Sequence, residues 1–71
     1  MLIRLDTMKS VGEFVQIAQS ESQDVMLKSL NGKYIIDGKS LLGVLSLDLT
    51  NAIRLELESK NYHLFDKFKA E

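Results

Sequence analysis

The chain has no cysteine, no proline and no tryptophan, and His63 is its only histidine. Without cysteine there is no disulfide to supplement a core and no thiolate to hold a metal, and nothing marks an oxidising compartment. The single imidazole has no ligand cluster around it, so no metal site is expected. No apolar run approaches the roughly 20 residues that cross a bilayer. The opening Met1-Leu2-Ile3-Arg4-Leu5-Asp6 is too short and too alternating for a signal peptide, which sets the expectation of a cytoplasmic protein away from membranes. Charge of one sign is missing as well: 9 Lys and Arg against 10 Asp and Glu leave a net charge of -1, with no basic field for nucleic acid or anionic lipid. Gly32, Gly38 and Gly43 form no phosphate-binding loop. Glu13, Glu21, Asp24, Asp37, Glu56 and Glu58 are scattered over caps, turns and a wet strand face, not paired in a pocket for acid/base work. No cofactor is implied.

What is present is a set of short, well-punctuated periodic segments. With 71 residues the chain makes one domain, 1–71, and its stability must come from packing. Residues 2–6 alternate as a short strand, and Ser10-Val11-Gly12-Glu13 sets a capping box ahead of Val11, Phe14, Val15 and Ala18. That predicts a first helix over about residues 10 to 19. Val25 and Leu27 alternate with Met26 and Lys28 as a second strand, and Asn31-Gly32 suits a two-residue type I′ turn into a third strand over 33–37. A short helix over about residues 40 to 47 follows, then a polar connection, and then Ile53, Leu55 and Leu57 alternate with Arg54, Glu56 and Glu58. Asn61 is placed to cap a last helix whose core anchors are Tyr62, Phe65 and Phe68. The economical packing is an α+β open-faced β-sandwich: a four-stranded, largely antiparallel sheet with three helices on one face, in the order βαββαβα.

The most distinctive segment is Gly38-Lys39-Ser40-Leu41-Leu42-Gly43-Val44-Leu45-Ser46-Leu47-Asp48. A helix this short and apolar must be buried all round or offer one side to a partner, and Ser40 stands where backbone amides welcome negative charge. As a plain helix cap Ser40 needs no further role. Leu41, Leu42 and Leu45 are core leucines on the bland reading, yet Val44 and Leu47 can fill the core without them and leave the three as docking anchors. Lys39, on the bland reading, is a solvated lysine. Ser46 carries no special signal.

This segment resembles the regulatory-serine segment of the histidine-containing phosphocarrier (HPr) family of the bacterial sugar phosphotransferase system, where Lys-Ser precedes a run of the type Leu-Leu-x-Val-x-x-Leu. The element order is also that family's. Phe14-Val15-Gln16-Ile17-Ala18 looks like the body of its first helix, Asp24-Val25-Met26-Leu27 like its second strand, and Asn31-Gly32-Lys33 like its hairpin turn. Between Lys33 and Lys39 the chain has one residue more than the family's usual spacing. The resemblance implies docking through Lys39 and the apolar helix, Leu41, Leu42 and Leu45, and phosphorylation of Ser40 by a dedicated kinase, with Lys39 a neighbour for that phosphate. The partners implied are phosphotransferase-system enzymes, the kinase or a transcriptional regulator, with the chain a monomer or weak homodimer.

The phosphotransfer site departs from the family. Its members carry Gly-Leu/Ile-His-x-Arg-Pro between the first strand and first helix, and here that position reads Asp6-Thr7-Met8-Lys9-Ser10. Ungapped counting puts Thr7 at the phosphoacceptor histidine, Lys9 at the arginine and Ser10 at the proline. A carrier needs a nitrogen nucleophile whose phosphoramidate can be passed on, and a threonine phosphoester is a poor donor by comparison. Lys9 offers a point charge without the bidentate fork of arginine. The expectation is a regulatory, protein-docking relative similar to the catabolite-repression variant of HPr, not an enzyme. The alternatives are a phosphocarrier acting through Thr7, Ser10 or His63, and a purely structural or assembly role.

Overall fold

The computed structural model describes residues 1–70. Four strands form one antiparallel sheet: β1 (Leu2–Ile3), β2 (Val25–Lys28), β3 (Ile35–Asp37) and β4 (Ile53–Leu57), in the order β1-β4-β2-β3. Two α-helices, α1 (Met8–Ser20) and α2 (Leu41–Leu45), and a 3-10 helix (Tyr62–Phe68) complete it. The architecture is α+β with an open four-stranded antiparallel sheet and three helices, as the residue pattern predicts.

The period of two in β2 and β4 explains the layering. Val25, Leu27, Ile53, Leu55 and Leu57 are buried, and the register Val25↔Leu57 and Leu27↔Leu55 stacks them on one face. Met26, Lys28, Arg54 and Glu56 share the other face, where Lys28 and Glu56 form an exposed 3.2 Å ion pair that adds little to stability. Onto the apolar face α1 lays Val11, Phe14, Val15 and Ala18. Phe14 meets Phe65 at 5.1 Å and Phe68 at 5.7 Å between ring centroids, a mixed tilted and edge-on cluster of the kind aromatic quadrupoles favour. Tyr62 is half-buried against this core, and its phenol oxygen accepts the amide of Leu57 at 3.2 Å, ending the β4 ladder.

Several expected boundaries move, each for a local reason. Helix α1 starts at Met8, not near residue 10, because Thr7 and Ser10 make the capping box themselves. Glu13, expected as the reciprocal partner of Ser10, instead receives Lys67 at 3.4 Å. The 29–34 connection is not a two-residue type I′ turn: only Gly32 has positive φ, at 74°. Asn31 spends its side-chain oxygen on Ser29 Oγ and the Lys33 amide, closing a longer loop, so β3 begins at Ile35 and not at 33. The last helix is 3-10 in character, with Phe65 off helical geometry, and Asn61 supplies no side-chain cap. Spacing of three, as in Tyr62, Phe65 and Phe68, matches three residues per turn. Strand β1 covers Leu2–Ile3 where 2–6 was expected, and residues 68–70 pair along it: Arg4 N donates to Phe68 O at 2.8 Å and Ala70 N to Leu2 O at 2.9 Å. No helix among the described residues is long and apolar enough to cross a membrane.

Candidate functional site

Helix α2 runs only from Leu41 to Leu45, shorter than the expected 40–47, and buries a single residue, Val44. Ser40 is its N-cap in extended backbone, and its Oγ accepts the Gly43 amide at 3.1 Å while its carbonyl accepts the Val44 amide at 2.9 Å. At the other end Ser46 closes the turn, its hydroxyl donating to the Gly43 carbonyl at 2.6 Å, and Leu47 turns back into the core. Gly43 is where the helix meets the sheet. A Cβ there would lie 2.8 Å from Ile36 Cγ2 and 3.2 Å from Ser40 Oγ, so only glycine lets α2 sit this close to β3.

With Val44 inward, the leucines point elsewhere. Leu42 is 80% exposed, Leu41 45% and Leu45 37%. The split expected from the sequence is therefore present in the geometry: Val44 and Leu47 are in the core, and the leucine trio forms an apolar surface next to Ser40. Beyond it lies a feature the sequence did not reveal, an open groove of about 710 Å³ between the 29–34 loop and the 46–53 segment. Leu30 and Tyr34 line it and are largely exposed, and Leu47 and Ile53 contribute to its lining. Asp48 at its rim accepts the Thr50 hydroxyl at 2.6 Å, the Thr50 backbone amide at 3.1 Å and the Asn51 side-chain Nδ2 at 3.2 Å. The Thr50 hydroxyl first, then the Thr50 amide, hold its carboxyl below the usual carboxylate range.

Lys39 is neither free in solvent nor turned toward Ser40. Its ammonium donates to the Glu21 carbonyl at 2.6 Å, and its own carbonyl accepts Gln19 Nε2 at 3.1 Å. These bonds tie the start of α2 to the end of α1. No signal in the sequence announces this pairing, which joins residues 18 positions apart.

The second set of residues, Thr7, Lys9 and Ser10, gathers at the start of α1. Thr7 Oγ1 accepts the Ser10 amide at 3.0 Å, and Ser10 Oγ donates to the Thr7 carbonyl at 2.8 Å and accepts the Thr7 amide at 3.1 Å. Both hydroxyls are thus occupied in capping. Lys9 is exposed. Because Lys39 contacts Gln19 and Glu21, the Ser40 side of the molecule meets the end of α1, whereas Thr7 caps its start, about 18 Å away along the helix axis at 1.5 Å rise per residue. His63 is exposed on the 3-10 helix and makes no hydrogen bond to Thr7, Lys9 or Ser10. Among the described residues no three His, Cys, Asp or Glu gather as a metal cluster, and no charged or polar residue is fully buried. This surface offers hydroxyl and exposed apolar groups. No protein-family model, no curated protein and no solved structure matches this chain.

Proposed function

We propose that the chain is an HPr-like protein of the phosphoenolpyruvate-dependent sugar phosphotransferase system that does not carry phosphohistidine and works as a regulatory docking module. Leu41, Leu42 and Leu45 are the anchors, Ser40 is the switch, and Lys39 is the neighbouring cation. The partners are phosphotransferase-system enzymes, an HPr kinase or a transcriptional regulator. The single observation that carries this reading is the exposure of three adjacent leucines directly behind a serine that caps their helix.

A kinase would join the γ-phosphoryl group of ATP to Ser40 Oγ, ADP leaving with the electrons of the broken bond and the hydroxyl proton passing to the kinase's base. The ester places about two negative charges at the rim of the leucine trio. Negative charge is favourable at the start of a helix, so α2 persists and what changes is the character of the docking surface. At the start of α1, by contrast, Thr7 and Ser10 offer no nitrogen nucleophile, and His63 lies on another element.

The test is incubation with an HPr serine kinase and ATP. Phosphate is expected on Ser40 and absent from Ser40→Ala; no mass gain in the unmodified chain overturns the switch. Incubation with phosphoenolpyruvate and the first enzyme of the pathway is expected to leave no acid-labile label, and such a label would restore the carrier reading. The exposed leucines also suit self-assembly. Gel filtration across a concentration series decides this, because a stable dimer lost in Leu42→Asp would assign the surface to a second copy.

A further inference from the structure

Resting on the reading of Ser40 as the modified residue, we infer that Lys39 is a latch between α2 and the end of α1, and that phosphate on Ser40 opens it. The end of α1 needs a cation it does not itself supply. Its last turn has no basic residue, and Glu21, its C-cap, brings a carboxylate to the negative end of the helix dipole. Lys39 fills the need from the neighbouring segment, its ammonium donating to the Glu21 carbonyl at 2.6 Å in a part-buried contact. The Glu21 carboxylate is itself held by the Ser59 hydroxyl at 2.6 Å, so the same residue also ties in the turn after β4.

The contact is built to exchange partners. Gln19 Nε2 holds the Lys39 carbonyl at 3.1 Å, which fixes the backbone beside α1 while leaving the lysine side chain to rotate. Ser40 is the next residue. A phosphate there sets a doubly charged acceptor against a neutral carbonyl for one ammonium, and only the phosphate adds attraction between opposite full charges to the charge-assisted bond. The ammonium moves to the phosphate, and the last turn of α1 loses its cation. Modification of α2 is thereby felt at the end of the other helix, on the path into β2.

The experiment installs phosphoserine at position 40 during synthesis, so that it does not depend on any kinase. Amide hydrogen exchange is then read at Gln19, Ser20 and Glu21. Phosphorylation is expected to speed exchange there roughly two- to fivefold, the scale of losing one cation from a helix end. Lys39→Gln alone is expected to show the same rise with no further rise on phosphorylation, while Lys39→Arg behaves as the unmodified lysine does. Unchanged exchange in the phosphorylated chain, or an equal rise on phosphorylating Lys39→Gln, overturns the latch. A kinase that leaves Ser40 unmodified would count against the proposed function without altering this readout.

Discussion

Both α-helices open on a hydroxyl cap, and they differ in nearly everything else. Thr7 is locked reciprocally with Ser10, and α1 then buries Val11, Phe14, Val15 and Ala18 over 13 residues. Ser40 makes one side-chain bond, and α2 buries Val44 alone over 5 residues. A helix that short is not stable by propensity, so α2 is held by its cap, by Val44 and by the Gly43 approach to Ile36. The molecule thus divides its tasks: α1 and the sheet supply the core, and α2 presents side chains. Elements with few buried contacts are also the ones that open locally, which suits the docking role proposed for α2.

The sharpest way to break this comparison is to truncate the buried residue of each helix. Phe14→Ala, which empties the centre of the aromatic cluster, is expected to cost about 3–5 kcal/mol in urea unfolding, enough to unfold much of a small domain. Val44→Ala is expected to cost about 2 kcal/mol. Equal losses at the two positions would show that α2 is as much a core element as α1. Next in size comes the cap: Ser40→Ala should cost about 1 kcal/mol, and Ser40→Asp, an equally good cap, close to none. A large loss in Ser40→Asp would mean that negative charge is not tolerated there. Leu42→Asp should change stability by less than about 0.5 kcal/mol, since Leu42 is 80% exposed, while weakening docking to any partner of the leucine surface.

The smallest effect concerns Asp48, in the segment after α2. Its folded pKa lies below its unfolded one, so its contribution to stability is present above the unfolded carboxyl range and is lost as pH falls through the lowered folded value. A carboxyl titration followed by NMR is expected to place Asp48 below an unfolded aspartate, and Thr50→Val should bring it back up. An unchanged midpoint in Thr50→Val would show that the Thr50 hydroxyl is not the principal cause.

Much of this division could be read from residue order. The alternation in β2 and β4, the cap at Ser40, and Val44 and Leu47 as inward residues in and just after the short helix follow from periods of two, from capping chemistry and from a spacing of three. What escaped was competition between equally valid local patterns. Ser10 and Glu13 satisfy a capping box on paper, yet Thr7 and Ser10 satisfy one a turn earlier and lengthen the helix. Asn31-Gly32 fits a tight turn, but the Asn31 oxygen found two donors and favoured a wider loop. The aromatic spacing of three marks a helix at Tyr62–Phe68 and fits its 3-10 character. The Lys39 contact and the groove beside Tyr34 depend on elements distant in the chain, for which local periodicity has no signal.

The bond from the Leu57 amide to the Tyr62 phenol has an optical consequence. In a chain without tryptophan, emission comes from Tyr34 and Tyr62 alone. One ring stands largely in solvent on the groove near α2, and the other is half-sunk at the end of the central sheet. Single-tyrosine versions of the protein, each retaining one fluorophore, would therefore report melting of the interior and arrival of a ligand on the surface as two separate signals.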